Sequence, residues 1–367
     1  MALISTRNES KLIKKTPNIM DIPESIATCC AHAPSADNSQ PLCYRWNGNE
    51  LCVNYDENRV SDKTFPARSL PSLMTAGGAF ETGFQILQSS GCEVSIKYNL
   101  GNKNENYYGS LVFSTSCDSE IVSNHPVLER HTNRFGYLRK EIPDEILSTV
   151  AEFKEDDAHL KLHTNEKDRT ELRRLVFFAN KIRFRTQEVH EWLGQSLRFK
   201  QAEDGLDIAT LDLPPGGTIF MRLISDWRRM QWLNRLGMYA MLSRIDSQPL
   251  GKSPCVIAFV CQDNERAMFD VGRLLVRVWS FLNSSGIACH PYYVISDQLE
   301  RLKQGVVPDN LAKDAEHLKQ KTTRFLELRE GQKLAMLLRI GYPTKKPPLS
   351  RRLPIEQIYK DLSTVSL

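Results

Sequence analysis

Two stretches of this chain share one pattern. Gly78, Ala79, Phe80, Glu81, Thr82, Gly83, Phe84, Gln85, Ile86 and Leu87 run into Ser89, Ser90 and Gly91, while Gly272, Arg273, Leu274, Leu275, Val276 and Arg277 run on to Leu282, Asn283, Ser284, Ser285 and Gly286. Each reads as a helix opened by glycine, ended by a Ser-Ser-Gly stop and followed by a strand, Val94 to Leu100 in the first copy and His290 to Ile295 in the second. An internal repeat constrains a fold strongly, because two copies of one unit bury corresponding faces in corresponding ways. Gly77, Gly78 and Gly83 lie inside the first helix, where each costs about 1 kcal/mol relative to alanine, so a neighbour packed very close is expected there.

The chain has 367 residues, room for two or three units of about 150 residues each. Apolar residues are 41% and charged residues 25%, which excludes disordered, collagen-like and coiled-coil chains. Lys+Arg 48 against Asp+Glu 44 leaves +4, too little for the basic face that nucleic-acid binding requires. The apolar run Cys255 to Cys261 is far below the roughly 20 residues that span a bilayer, so no membrane partner is expected. The region around Arg7, Asn8, Glu9, Lys11, Lys14 and Lys15 has no apolar core of a secretory signal, which predicts a cytoplasmic protein. Nine cysteines without a C-x-x-C pair fit neither a disulfide framework nor a zinc site, and reduced, mostly buried thiols are expected.

A coarse pass predicts helices over Ile22 to Ala33, Ser72 to Gln88, Glu166 to Arg198, Phe220 to Ser243 and Met268 to Leu282. Strands are predicted over Leu42 to Asn47, Leu51 to Tyr55, Leu111 to Ser114 and Pro254 to Cys261. The mixture is an α+β fold with sheets flanked by helices. Residues 203–217, with Pro214, Pro215, Gly216 and Gly217, form an irregular insertion of the size of a lid.

No G-x-G-x-x-G, Walker or H-E-x-x-H motif occurs, and no metal site is expected. Two segments carry recognisable chemistry. Pro34, Ser35, Ala36, Asp37, Asn38, Ser39, Gln40 and Pro41 form a loop whose hydroxyl, amides and backbone N–H groups suit a flat heterocycle with a ribityl or phosphate tail, or serve as an ordinary turn. Arg130, His131, Thr132, Asn133 and Arg134 would, as a helix, set two guanidiniums and a hydroxyl on one face as a phosphate clamp, or form a solvated charged turn. Lys345, Lys346, Arg351 and Arg352 form a second basic cluster with the same two readings.

The loop Pro34 to Pro41 resembles the flavin-lining loop of the nitroreductase family of FMN enzymes. Arg130 to Arg134, followed by Tyr137, Pro143 and Glu145, resembles that family's phosphate-holding entry. Leu338 to Pro343 with Arg351 to Ile358 resembles its C-terminal motif. The order of the motifs and the length are similar to the duplicated, Acg-like branch, in which two nitroreductase-like halves in one chain imitate a dimer. The resemblance implies a pseudo-dimer with halves 1–120 and 121–367, a monomer or weak dimer with one FMN per chain, and flavin contacts from Pro34, Ser35, Ala36, Asn38, Gln40, Arg130, Thr132, Asn133, Arg134, Arg351 and Arg352. It implies hydride exchange between the flavin and NAD(P)H or a small organic substrate. It also leaves open a non-catalytic FMN-sequestering protein whose lid excludes the nicotinamide donor, and a flavin-dependent oxidase or desaturase.

Overall fold

The computed structural model describes residues 21–60, 65–102, 106–114 and 125–363; Arg7, Asn8 and Cys117 lie outside the described residues. The first half runs α1 (Ile22–Cys30), β1 (Leu42–Trp46), β2 (Glu50–Tyr55), α2 (Leu70–Ser89), β3 (Val94–Tyr98) and β4 (Tyr107–Phe113). Then come α3 (Pro126–Glu129), α4 (Asp144–Glu152), β5 (Ala158–His163), α5 (Glu166–Arg183), α6 (Gln187–Ser196), β6 (Leu197–Arg198), β7 (Leu206–Asp207), α7 (Gly217–Ile224), α8 (Trp227–Arg235) and α9 (Met238–Lys252). The chain closes with β8 (Cys255–Gln262), α10 (Glu265–Ser284), β9 (Ala288–Tyr292), α11 (Val294–Lys303), α12 (Asp309–Phe325), β10 (Gln332–Gly341), α13 (Ile355–Ile358) and β11 (Tyr359–Asp361).

Two mixed layers carry the repeat. The first sheet has the order β11-β1-β2-β4-β3 and the second β5-β8-β10-β9. With β11 set aside, both are antiparallel and both place their four strands in the order first, second, fourth, third, with a long helix between the second and third. Those helices, α2 and α10, are 20 residues each and end at caps of nearly equal geometry, Ser90 at φ −85° and Ser285 at φ −84°. Gly91 and Gly286 follow at φ 75° and 74°, the left-handed conformation that stops a helix at C′.

α2 and α10 cross at their glycines. A Cβ on Gly77 would sit 1.9 Å from the Phe269 carbonyl oxygen, and one on Gly272 would sit 2.0 Å from that of Met74. The repeat therefore pairs Gly272 with Gly77 rather than with Gly78, and both glycines lie in mid-helix rather than at the start. Only a residue without Cβ lets the two backbones touch. Around the crossing, Phe80 and Phe269 meet edge to face at 5.2 Å, and buried Glu81 accepts from Arg273 Nε at 2.9 Å. One apolar core contains α2, α10 and residues of both sheets, so the halves share a single interior.

β11 breaks the symmetry. It pairs parallel with β1, Tyr44 opposite Tyr359, so the end of the second half completes the sheet of the first. Four sequence expectations change. The helix expected over Glu166 to Arg198 is broken between Arg183 and Gln187, and that over Phe220 to Ser243 becomes α7, α8 and α9, divided where Asp226 caps α8 and Gly237 takes φ 87°. Val294 and Ile295 begin α11 instead of ending a strand. Finally, seven cysteines are free, but Cys92 is disulfide-bonded, against the expectation of reduced thiols throughout. No helix among the described residues is long and apolar enough to cross a membrane.

Candidate functional site

A cavity of about 820 Å³ is lined by residues between 32 and 75 on one side and between 128 and 352 on the other, within the range of about 300–1,000 Å³ usual for small-molecule and cofactor sites. Its walls come from the loop after α1, the segment after α3, α6 to α9, β9, β10 and the approach to α13.

The loop after α1 is held in an uncommon backbone. Asp37, Asn38 and Gln40 take φ 47°, 58° and 50°. Asp and Asn tolerate that region, but Gln needs support. Gln40 has it: its N–H donates to Ser35 Oγ at 3.0 Å, its Nε2 to the Glu203 carbonyl at 2.8 Å, and its Oε1 accepts from Leu353 N–H at 2.9 Å. Asn38 links further: Nδ2 donates to the Arg351 carbonyl at 3.2 Å, Oδ1 accepts from Arg352 Nη1 at 2.9 Å, and its carbonyl accepts from Gly205 N–H at 3.1 Å. Trp192 Nε1 donates to Asp37 at 3.1 Å. The amides thus fasten the loop to the C-terminal segment and to residues 203–205.

Residues 130–134 are extended rather than helical. Asn133 N–H donates to the Cys289 carbonyl at 2.8 Å, and Thr132 bridges Cys289 in parallel, which prevents a helical turn. Extension yields the clamp by a different period, because Arg130, Thr132 and Arg134 at alternate positions all line the cavity. Asn133 is fully buried outside that wall, bonded to the Lys345 carbonyl and to Phe135 N–H. Of the expected site residues, Pro34, Ser35, Ala36, Asn38, Arg130, Thr132, Arg134 and Arg352 line the cavity. Gln40, Asn133 and Arg351 do not, because the first two spend their amides on structural bonds and the third points to solvent.

The arginines set the electrostatics. Arg130 Nη2 donates to the His32 carbonyl at 2.8 Å and lies 4.6 Å over the Trp279 ring, and Arg352 Nη2 reaches the same carbonyl at 3.3 Å. Arg134 Nη1 donates to Thr210 Oγ1 at 3.3 Å. Arg339 is 1% exposed, lies 3.9 Å over the Tyr137 ring and donates to the Phe135 carbonyl at 2.9 Å. None of these four is ion-paired with a carboxylate among the described residues, and Nε of both Arg339 and Arg352 has no hydrogen-bond partner. Burial, with Arg352 nearby, lowers Arg130 to about 9; burial also lowers Arg352 to about 10. His32 falls to about 4 through burial and then through Arg352 and Arg130, and His290 is pushed well below its usual range by burial, Arg339 and Arg134. A desolvated cation without an ion-pair partner is costly, and four such arginines line this one cavity, with Asp37 and Asp246 acting on Arg134 from its wall.

Arg339 and His290 escaped the sequence reading as site residues. The signal for Arg339 was present: one arginine stands inside the apolar run Leu334 to Ile340, where a strand demands that a charge be buried. At the far end of the cavity Asp246 accepts from Asn180 Nδ2 at 2.7 Å and pairs with Arg183 at 3.6 Å. Nearby Asp297, half-buried at the start of α11, is raised to about 6 by desolvation.

The His32 shift makes stability pH-dependent. The unfolded chain takes up a proton near pH 6.5 that native His32 refuses until about 4, so stability is lost as pH falls through that window. Urea unfolding at pH 7.5 and at 5 will show a loss in the wild type that His32→Gln reduces by roughly 1–3 kcal/mol. An unchanged pH slope in the variant would remove the assignment.

No protein-family profile matches the sequence, and no curated protein matches it. Solved structures similar to the chain include a nitroreductase-like family protein from Bacillus cereus, at 11% identity over 65% of this chain and 96% of that one, TM-score 0.37. Another is the FMN-dependent nitroreductase NfnB from Mycobacterium smegmatis in complex with NADPH, at 16% identity over 63% of this chain and 94% of that one, TM-score 0.35. A nitroreductase with bound FMN from Bacteroides fragilis matches at 13% identity over 66% of this chain and 96% of that one, TM-score 0.33.

Proposed function

We propose that this chain is an FMN-dependent oxidoreductase of nitroreductase type, a pseudo-dimer of two related halves that binds one FMN between them. The observation that carries the reading is the set of four buried or half-buried guanidiniums, Arg130, Arg134, Arg339 and Arg352, around one cavity, none of them in an ion pair with a carboxylate among the described residues. A phosphate supplies that charge, and its oxygens accept from forked N–H donors. The orphaned Nε atoms of Arg339 and Arg352 are donors of the kind such a group satisfies. Thr132 adds a hydroxyl on the same wall, while Pro34, Ser35, Ala36 and Asn38 offer backbone and polar edges to a flat ring.

When bound, FMN supplies hydride and electron transfer, and the protein's part is to bind, orient and exclude water. His32 and His290, held neutral by burial and by the arginines, add no positive charge to that cluster. Residues 203–213 lie against the cavity and are fastened by the Glu203, Gly205 and Thr210 bonds and by the Lys345–Asp212 pair at 3.1 Å. That fastening supports a second reading, an FMN-holding protein whose cover excludes a nicotinamide donor.

Anaerobic addition of NADPH to the flavin-loaded protein separates the two. We expect rapid loss of the flavin's visible absorbance; loss with dithionite but not with NADPH or NADH supports the holding protein. Protein that cannot be loaded with FMN removes both readings. The nitro, quinone or other organic acceptor is a matter of the pocket's loops rather than of the motifs.

A further inference from the structure

The α7–α9 cap carries an exposed surface of which only Ile245 and Lys252, among the residues argued from below, also line the cavity. On its inner side Ile224, Met230 and Leu242 form a small core, with Phe220, Trp227 and Leu233 packed against it. The exposed side is apolar as well. Ile219 and Leu223 on α7, Trp232 and Leu236 at the end of α8, and Met241 and Ile245 on α9 are i, i+4 pairs, so each pair shares one helix face. All six are exposed, from 44% for Leu223 to 75% for Ile219, and they make up six of the ten exposed large apolar side chains among the described residues. Exposure concentrated in this way marks a contact surface.

The charges select the partner. Residues 217–252 hold Arg222, Arg228, Arg229, Arg235, Arg244 and Lys252 against only Asp226 and Asp246, an excess equal to the +4 of the entire chain. Outside the cap the molecule is therefore electrically balanced. All six cations are exposed, and none is ion-paired among the described residues. Both acids are engaged, Asp226 in accepting Arg229 N–H at 3.0 Å and Asp246 with Asn180. Arg228, Trp232 and Arg235 fall on one side of α8. A second copy would bring like charge against like, whereas exposed tryptophan and aliphatic side chains interleaved with arginine are the composition of helices that lie in a bilayer interface.

We infer that the exposed face of α7–α9 docks on a bilayer surface containing anionic lipid, with the apolar pairs entering the headgroup boundary and the arginines meeting the lipid anions. The apolar run lengths that argued against a membrane partner bear on crossing a bilayer and not on lying at its surface. Met221, Leu242 and Ile245 also line the cavity, so docking sets a wall of the cavity at the lipid surface. The inference does not depend on FMN.

The test is co-sedimentation of the full chain with phosphatidylcholine vesicles, with and without about 30 mol% phosphatidylglycerol. Binding is expected only with phosphatidylglycerol and is released by high salt. Arg228→Glu with Arg235→Glu should lower the bound fraction at least about tenfold. Ile219→Ser with Trp232→Ser should lower it while the remaining binding stays salt-sensitive. All four positions are exposed, and an unchanged thermal midpoint verifies folding. Failure of the wild type to bind the anionic vesicles, or equal binding by the variants, overturns the inference. So does vesicle-independent self-association that the same substitutions abolish, which would assign the patch to a second copy.

Discussion

Arg134→Ala will lower the affinity of the protein for FMN by roughly 10- to 100-fold, the equivalent of a charge-assisted hydrogen bond worth about 1.5–3 kcal/mol. Riboflavin, which lacks the phosphate, should bind the variant and the wild type alike. The two ligands separate a lost phosphate contact from a damaged cavity, because damage weakens both. Stability gives a second sign. Without ligand, Arg134 is a half-buried cation whose hydrogen bond to Thr210 and distant attraction to Asp37 and Asp246 are set against desolvation, so its removal should leave the thermal midpoint of the flavin-free protein unchanged or raised. The FMN-dependent rise in the midpoint should shrink in the variant, since ligand stabilisation follows occupancy. Equal losses for FMN and riboflavin, read by fluorescence titration, would sink the phosphate assignment.

Gly272→Ala will destabilise the chain by at least about 3 kcal/mol, above the usual range for an overpacked core. The added Cβ meets the Met74 carbonyl oxygen at 2.0 Å, and that atom is backbone in the middle of a helix with no room to retreat. Gly77→Ala should behave alike, its Cβ meeting the Phe269 oxygen at 1.9 Å. Gly78→Ala is the contrast. Its nearest neighbours are the Val276 and Pro34 side chains at 3.2 and 3.3 Å, which give by a few tenths of an ångström, and the helix gains about 1 kcal/mol of propensity. Denaturant midpoints near the wild type for Gly272→Ala and Gly77→Ala would mean that the helices do not cross at these residues.

What was legible in the sequence was local. The loop between Pro34 and Pro41, the Ser-Ser-Gly stops and the apolar run of β8 announce themselves through the residues that make them. The pairing of Gly272 with Gly77 instead of Gly78 was not legible, because a helix can be phased only when its partner is known. Residues 130–134 could be read as a helical clamp or a charged turn, and the bonds that extend them instead come from Cys289, far along the chain. Gln40 looked like a ligand group because its own partners were equally out of sight. An amide's partners decide its role, and those of Gln40, Glu203 and Leu353, are non-local. β11, three residues long, carries no pattern of its own and exists as a strand through β1.

That short strand gives the molecule an order of assembly. Arg352 is the last cavity-lining residue in chain order, and it is delivered by the segment that β11 anchors to the first half's sheet. During synthesis the first half emerges early and waits with β1 as an open edge, while α2 presents Gly77 to a helix not yet made. The anion site closes after the second half has folded and its tail has reached back to β1. A nascent chain therefore completes this cavity late, and the proposed ligand can be held only once both sheets are in place.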